Sequence, residues 1–457
     1  MAEASSVFLC ARWIMSKQHS SNEARLNGDV TERVRSQYEQ LPYPHREPAD
    51  ERKRLCMTEL DDLNIVNHYC FGGERDLSGG LRILVAGGGT GDSLVFLAEQ
   101  LRDTPSELVY VDLSDAAMKI ARERVRIRGL DSLVQWHRRS LLDIAEMDFE
   151  PFDFINCSGV LHHLENPADG LAALKSVLKP DGGMALMVYG EMGRTGVYQI
   201  QRLMRIAAAN ASSEQEKIDL TRTMLSNLPK TNWFVAGGGL NSLTADSSDA
   251  EIYDLFLHSQ DRPFSVDELY GWVEEAGLHV AEFTMQNRML YEPAFLLGDS
   301  NLVEELSSLP DRQRRAAGEL ISGSIAKHNF WVSARAESKV DGIRAEYVPC
   351  LSQLGQQYDV LTAIEQAKTP NVSIQVNLQN GSSVKLAIAM NDSLRAMAKL
   401  IDGSRSLLEI VVAIVGPGAS REKIDRVWSE LQIAIGTLRQ IDFIVFRQKV
   451  DRRTQAA

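Results

Sequence analysis

The chain has 457 residues, enough for about two to four domains with a sizeable buried core. Its 49 Lys and Arg residues and 62 Asp and Glu residues give a net charge of −13, which argues against an extended nucleic-acid or anionic-membrane surface, because such surfaces need excess basic residues on one face. Hydrophobic residues make up 44% of the chain, but no continuous apolar run is long enough to predict a membrane-spanning helix.

The first 30 residues are expected to form a flexible leader, because residues 16–30 are polar and rich in turn-forming residues. Residues 6–15 are mildly apolar but lack the basic start and cleavage site of a secretion signal. The five Cys residues are scattered, with neither a CxxC pair nor the Cys/His spacing of a zinc site. Free thiols in a reducing, cytoplasmic compartment are therefore expected.

Residues 31–190 show the pattern of an α/β fold. A short helix is interrupted by Pro42 and Pro44, which predicts an extended arm at the start of the region. After the arm, strands are predicted at 82–87, 107–114, 134–140, 152–159 and 184–190, and helices at 92–102, at 115–128 and from Pro167 to a stop at Pro180. This alternation predicts a parallel, doubly wound sheet.

The alternation stops at residue 191. Residues 191–263 are predicted to form a helical insertion that caps the core. The core resumes over 264–336, with a helix at 263–277 and strands at 278–283 and 328–336.

A second unit is predicted over 341–457. Asn380-Gly381 lies between two alternating segments and predicts a β-hairpin. Three helices and a strand at 441–447 follow, an order that predicts a small winged-helix-like α+β domain. Acidic residues balance the basic residues of its last helix, 420–440, so DNA binding is not expected, and peptide docking or support of a dimer is favoured.

The segment ILVAGGGTGD (83–92) runs from a predicted strand through a glycine-rich turn into a helix. Gly87, Gly89 and Gly91 have G-x-G-x-G spacing, and Asp92 stands where a dinucleotide-binding motif has its third glycine. A carboxylate is unfavourable beside a pyrophosphate, but it is compatible with S-adenosylmethionine, whose amino-acid moiety carries no phosphate. The alternative is a tight turn that binds no ligand.

Two further features favour a bound ligand. Asp112 ends the second predicted strand, 25 residues after Gly87, where an acidic residue can accept both ribose hydroxyls. The alternative role of Asp112, capping the next helix, is weakened because Ser114 can do this. The segment CSGVLHHLENP (157–167) follows the fourth strand at the same edge of the sheet, where ligands bind in such folds.

Four segments together resemble the class I S-adenosylmethionine-dependent methyltransferases: ILVAGGGTG (83–91), VYVDLS (109–114), FDFINCSGVLHHLENP (152–167) and LKPDGGMALMVYGE (178–191). The resemblance implies a seven-stranded, Rossmann-like sheet with S-adenosylmethionine over the first four strand ends. It implies these cofactor-binding residues: Gly87, Gly89, Thr90, Gly91, Asp112, Leu113, Ser140, Leu141, Ser158 and Gly159. Ser140 replaces the acidic residue that usually binds the adenine amino group, so Ser140 and the Leu141 backbone would take that role.

A closer resemblance extends over residues 31–336. The arm QYEQLPYPHREP (37–48) resembles the QYExxPYP arm of a subgroup that includes bacterial protein-lysine methyltransferases, and segments 254–278 and 328–334 also resemble that subgroup. This implies a dimerisation role for the insertion, 191–263. A protein lysine amine is the favoured methyl acceptor; a small-molecule acceptor and a non-catalytic scaffold that binds the cofactor are the alternatives.

Residues near the transferred methyl group are expected on the arm and at the strand ends. The catalytic candidates are Tyr38, Tyr43, His162 and His163, and the substrate-binding candidates are Tyr189, His258, Gln260 and Arg262. Packing of the arm, ordinary hydrogen bonding of the histidines and helix capping near residue 265 are the alternative roles. No metal site is expected, because adjacent His side chains point in different directions.

Overall fold

The computed structural model describes Glu32, residues 34–238 and residues 247–449. The predicted leader and the last residues of the C-terminal unit lie outside this part of the chain. Within it, no helix combines the length and apolarity needed to cross a membrane.

The strands, in chain order, are β1 (Arg82–Ala86), β2 (Glu107–Asp112), β3 (Val134–Arg138), β4 (Phe152–Ser158), β5 (Leu178–Tyr189), β6 (His279–Phe283), β7 (Lys327–Ser333), β8 (Val348–Leu351), β9 (Asn371–Asn377), β10 (Ser383–Ala389) and β11 (Ile444–Arg447).

The helices are α1 (34–40), α2 (Leu63–Cys70), α3 (Asp92–Gln100), α4 (Asp115–Ile127), α5 (Pro167–Ser176), α6 (Thr195–Ala207), α7 (Glu214–Asn227), α8 (Trp233–Ala236), α9 (Asp249–Ile252), α10 (Val266–Glu275), α11 (Met285–Arg288), α12 (Pro293–Leu297), α13 (Leu302–Ser307), α14 (Asp311–Ser322), α15 (Gln353–Gln357), α16 (Val360–Gln366), α17 (Asp392–Leu400), α18 (Leu407–Val415) and α19 (Arg421–Gln440). A π-helical turn follows α9 at Tyr253–Leu257. Short 3-10 turns lie at Pro48–Arg52, Glu59–Asp61, Leu77–Gly79, Asp131–Leu133, Leu141–Glu146, Leu161–His163 and Met289–Tyr291.

Strands β1 to β7 form one sheet in the order β3-β2-β1-β4-β5-β7-β6. The pairs among β1 to β5 are parallel, and β7 runs antiparallel to both of its neighbours. The seven-stranded, doubly wound α/β sheet predicted from the sequence is therefore confirmed. The strand order reverses between β1 and β4, and ligands bind at the carboxyl ends of the strands that flank such a reversal.

Helices cover both faces of the sheet, because alternate residues of each central strand point to opposite sides. Ile83 and Val85 of β1 pack into one apolar cluster with α2 and α3. Leu84 and Ala86 pack into a second cluster on the other face. Burial on both faces explains why β1 is a continuous apolar segment rather than an alternating one.

The segment between α5 and β5 differs from the sequence prediction. The helix ends at Ser176 rather than at Pro180, and β5 begins at Leu178 rather than at residue 184. Leu178 is paired with Phe152 of β4, and the register then shifts so that Phe154 pairs with Gly183. This irregular pairing with a distant strand decides where β5 begins, and local periodicity cannot reveal it.

Helices α6 to α9 follow β5 as an insertion with its own small apolar cluster, which includes Ile200, Phe234 and Phe256. The C-terminal unit has a third core formed by α15 to α19 and its strands. Its β9–β10 hairpin turns at Asn380-Gly381, as the sequence predicts, with Gly381 at φ +80°. Strand β8, which the sequence analysis missed, pairs with β11 about ninety residues later in the chain.

The C-terminal unit is joined to the core through the buried carboxylate of Asp442. Tyr69 of α2 donates a hydrogen bond to Asp442 over 2.7 Å, and Arg288 of α11 forms an ion pair with it at 2.7 Å. The Asp442 side chain is only 1% exposed and that of Arg288 is 17% exposed. Loss of either charge therefore leaves the other one desolvated and unpaired.

Asp442→Asn is expected to lower the free energy of unfolding by about 3 kcal/mol, because Arg288 loses its counter-ion in a nearly buried position. Urea denaturation checks this. Asp425→Asn, which breaks an exposed ion pair with Arg421 on α19, is the control and is expected to cost less than about 0.5 kcal/mol. Equal losses in the two variants would contradict this account of the interface.

Candidate functional site

The glycine turn lies at the carboxyl end of β1, between Ala86 and the start of α3. Gly87, Gly89 and Gly91 have φ angles of +69°, +51° and +97°, in the region that favours glycine. A Cβ atom at Gly87 would lie 2.4 Å from Val160, and one at Gly89 would lie 2.7 Å from the Tyr43 carbonyl oxygen. Glycine is therefore required at these positions both for the backbone conformation and for the close approach of Val160 and of the arm at Tyr43.

A cavity of about 420 Å³ opens beside this turn, at the ends of β1, β2 and β4. Most of the cofactor-binding residues implied by the resemblance line it: Gly87, Gly89, Asp112, Leu113, Ser140, Leu141, Ser158 and Gly159. Thr90 and Gly91 do not. Thr90 donates its hydroxyl hydrogen bond to the Pro44 carbonyl, and Gly91 packs against Ala121 of α4.

Asp112 presents a carboxylate to this cavity at the end of β2. It accepts hydrogen bonds from the backbone N–H groups of Gly89 and Ser114, each over 2.8 Å. Burial raises the pKa of Asp112, while these N–H groups oppose the increase. Ser114 caps α4 by accepting a bond from the Ala117 N–H, so the side chain of Asp112 is free of that task. A carboxylate at this position can accept hydrogen bonds from the ribose hydroxyls of a nucleoside.

The N-terminal arm is held on the glycine turn through Asp92, the first residue of α3. Arg46 of the arm binds the two Asp92 oxygens over 2.9 Å and 2.6 Å, and Arg124 of α4 binds one of them over 2.7 Å. Burial alone would raise the pKa of Asp92, but the two guanidinium groups hold it below its usual range. The sequence analysis singled out Asp92 only as incompatible with a pyrophosphate, and it missed Arg46 and Arg124.

A third carboxylate, Asp254, lies where the arm meets the insertion. It belongs to the π-helical turn after α9 and is 5% exposed. Tyr38 of the arm and Tyr189 of β5 donate their hydroxyl groups to its two oxygens, over 3.0 Å and 3.2 Å. Burial first, and then the Asp254 charge, raises the pKa of both tyrosines, so both remain protonated donors. The sequence analysis missed Asp254; its position one helical turn before His258 was the available signal.

The histidines predicted at the strand ends are in two environments. His163 lines the cavity, stacks on His258 with ring centroids 3.8 Å apart, and has its Nδ1 atom 2.8 Å from the Gln260 carbonyl. Its Nδ1 therefore donates, and its Nε2 keeps a lone pair. His162 is fully buried against Tyr189, and burial and the charges around it lower its pKa, so it packs as a neutral ring.

Of the remaining substrate-binding candidates, His258 and Gln260 lie at the site and Arg262 does not. His258 accepts the backbone N–H of Gln260 at its Nδ1 atom, and its Nε2 lies 3.3 Å from the Tyr38 hydroxyl. Gln260 contacts both histidines through its backbone: its carbonyl oxygen bonds to His163 and its N–H bonds to His258. Arg262 does not line the cavity; it is exposed, covers the Phe264 ring and faces Glu268 at 3.6 Å.

His163, Asp254 and His258 offer ligand atoms within 4.8 Å of one another, which is a possible metal-binding arrangement. His258, however, accepts a hydrogen bond at Nδ1, so the neutral ring carries its proton on Nε2 and has no lone pair to offer there. Only His163 and Asp254 are then available as ligands. This arrangement is suited to hydrogen bonding rather than to holding an ion.

A second cavity, of about 680 Å³, adjoins the first. Tyr43, Tyr189, Asp254 and Lys327 line both cavities. The walls of the second cavity come from three parts of the molecule: the insertion at 192–196, the core at 323–329, and the hairpin turn of the C-terminal unit at Gln379 and Asn380. The sequence analysis missed Lys327 and Gln379, and it predicted Asn380 only as part of a hairpin turn, not as part of a cavity wall.

Residues 84–184 match the model of a methyltransferase domain. The chain is 30% identical to an uncharacterized protein of Synechococcus over 321 residues, which are 70% of this chain and 75% of that protein. It is 32% identical over 109 residues to a ubiquinone biosynthesis O-methyltransferase of Hahella chejuensis, and 31% identical over 113 residues to the tRNA 5-carboxymethoxyuridine methyltransferase of Escherichia coli. These matches span 23% and 25% of this chain and 42% of each relative.

The fold is similar to that of PKMT2 from Rickettsia typhi in complex with AdoHcy, with a TM-score of 0.59 and 16% identity over 86% of this chain and 76% of that one. This likeness is one of fold. The comparisons do not support the expected exclusion of a nucleic-acid partner, because one relative is named for a tRNA.

Asp112→Ala is expected to weaken the binding of S-adenosylmethionine by about 10- to 100-fold, because the ribose hydroxyls would lose a charged acceptor. Isothermal titration calorimetry checks this. Asp131→Ala, at an exposed residue before β3, is the control and should bind as the wild type does. Unchanged affinity in Asp112→Ala would show that the carboxylate does not contact the cofactor.

Proposed function

The chain belongs to the class I S-adenosylmethionine-dependent methyltransferases, and from this premise we propose that it methylates a lysine amine of a protein. S-adenosylmethionine is the cofactor and supplies the methyl group from its sulfonium centre. The tasks of the protein are therefore to orient the two reactants and to exclude water from between them. The acceptor is proposed to lie between the arm and the insertion.

The residues around the first cavity fit this cofactor. In the proposal, Asp112 accepts the ribose hydroxyls and the glycine turn contacts the methionine moiety. Ser140 and the Leu141 backbone bind the adenine. The Ser140 oxygen already accepts the Leu142 N–H over 3.2 Å, which orients the hydroxyl group at the cavity wall. Thr90 and Gly91 act indirectly, by fixing the turn against the arm and α4.

The observation that carries the acceptor assignment is the carboxylate of Asp254 among three tyrosines where the cavities meet. Tyr38 and Tyr189 bond to Asp254, and Tyr43 lines both cavities beside it. A negative charge and aromatic rings both favour a cationic group. A lysine side chain that arrives as an ammonium ion is therefore favoured at this position.

The acceptor amine must lose a proton before it attacks. His163 is the proposed proton acceptor, because its Nε2 lone pair is free and its ring borders the cofactor cavity. His258 stacks behind it and is held in one orientation by the Gln260 backbone, which keeps the His163 ring in place. His162 is proposed to support the Tyr189 ring rather than to contact the acceptor.

A protein acceptor is supported by the subgroup resemblance of the arm and by the large share of the chain outside the cofactor-binding half of the sheet. A small-molecule acceptor is the second candidate, and the volume of the second cavity, about 680 Å³, favours it because small-molecule sites have this size. A homodimer through residues 191–263 and a cytoplasmic location stay predictions.

Transfer of a radiolabelled methyl group into a cell lysate, separated into protein and small-molecule fractions, tests the proposal. We expect label in protein, recovered as methyl-lysine after hydrolysis. Asp254→Asn is expected to lower this labelling about 10- to 100-fold without weakening S-adenosylmethionine binding, because the ammonium ion loses its charged partner.

Asp249→Asn is the matched control, since Asp249 lies on the same insertion but pairs with Arg222. It should label protein as the wild type does. Label confined to small molecules would contradict the protein acceptor, and full activity of Asp254→Asn would contradict the role of the carboxylate.

A further inference from the structure

Lys327 is exposed at the boundary of the two cavities and forms no ion pair among the described residues. It is the first residue of β7, pairs through its backbone with Tyr189 of β5, and lines both cavities. In the described part of the chain its ammonium group makes no hydrogen bond or ion pair. Desolvation at the cavity wall, and then repulsion from Arg194, lowers the pKa of Lys327, while attraction by the Asp254 carboxylate opposes this. A partner of opposite charge would relieve both effects.

The charged groups facing Lys327 are already engaged. Arg194 is paired with Asp261 at 3.1 Å and covers the Tyr189 ring at 3.4 Å. Asp254 accepts its two tyrosine hydroxyls. Glu251, on α9, accepts the backbone N–H and the hydroxyl of Ser248 over 2.9 Å and 2.8 Å. Of the two cationic side chains that line the second cavity, Arg194 and Lys327, only Lys327 has no ion-pair partner among the described residues, and it lies at the boundary with the proposed amine position.

The C-terminal unit holds this lysine in place. Gln379, in the hairpin turn, accepts the N–H groups of Ala326 and Lys327, each over 3.1 Å, and donates to the Lys327 carbonyl over 3.1 Å. Asn380 donates to the Ser324 hydroxyl over 3.2 Å. The turn thus takes the place of β6, which does not pair with the start of β7, and it forms part of the cavity wall.

We propose that the second cavity binds the acceptor polypeptide next to the methylated lysine, and that Lys327 pairs there with a carboxylate of that polypeptide. The preferred acceptor then carries Asp or Glu beside its target lysine. The inference rests on the proposed function and names its substrate class. It also gives the C-terminal unit a role: Gln379 is a positioning residue for Lys327.

Two peptide libraries test this. Both have a fixed central lysine in a random sequence, with Glu beside the lysine in one library and Gln in the other. Methyl transfer from radiolabelled S-adenosylmethionine to each is measured with the full chain. The wild type is expected to prefer the Glu library about tenfold in kcat/KM, the effect of one partly desolvated charge pair.

Lys327→Met is expected to abolish this preference, so that the two libraries are methylated with equal kcat/KM, and Lys327→Glu is expected to reverse it. Gln379→Ala is expected to reduce the preference without changing S-adenosylmethionine affinity. Lys368→Met, at an exposed lysine of the C-terminal unit, is the matched control and should retain the wild-type preference. Calorimetry with S-adenosylmethionine confirms that each variant is folded.

Equal methylation of both libraries by the wild type would overturn the inference and leave the proposed function standing. Retention of the Glu preference in Lys327→Met would also overturn the inference. So would an equal loss of activity on both libraries in that variant, because such a loss would make Lys327 part of proton transfer or of the fold. Methylation of neither library by the wild type would overturn the proposed lysine acceptor and this inference together.

Discussion

The ion pairs of Asp92 connect three parts of the chain beside the cofactor cavity: the arm, the glycine turn and α4. Asp92 begins α3, where the helix N-terminus itself favours a negative charge. Its oxygens bind Arg46 of the arm and Arg124 of α4, and the Arg124 side chain is 1% exposed and also paired with Glu51. Removing the carboxylate would leave Arg46 without its counter-ion and Arg124 with Glu51 alone, so the arm, the turn and α4 stabilise one another through Asp92.

The acceptor side depends on this arrangement because the same arm supplies Tyr38 and Tyr43. With the arm fixed at Arg46, Tyr38 reaches Asp254 of the insertion, 216 positions later in the chain. Asp92 thus holds the arm on the cofactor side, Asp254 holds it on the acceptor side, and the arm joins the two sides. The hairpin turn of the C-terminal unit closes the remaining wall at Lys327.

Sequence reasoning predicted the features that local periodicity and turn chemistry decide. The central strands, the glycine turn, Asp112 and the Asn380-Gly381 hairpin are of this kind. It missed Asp254, Lys327 and β8, because their roles come from pairings with distant residues. Thr90 was expected at the cavity and instead bonds to the Pro44 carbonyl, and His162 is buried behind Tyr189. Both outcomes depend on where the arm and β5 lie, which a local motif does not encode.

Calorimetric titration of S-adenosylhomocysteine into the wild type and into Arg46→Met tests most directly whether the arm completes the cofactor site. The account predicts that Arg46→Met binds at least about tenfold more weakly, because the arm is no longer held against the glycine turn while β1, β2 and Asp112 are unchanged. Equal affinities, with both proteins folded, would contradict the claim that the Asp92 ion pair builds the site.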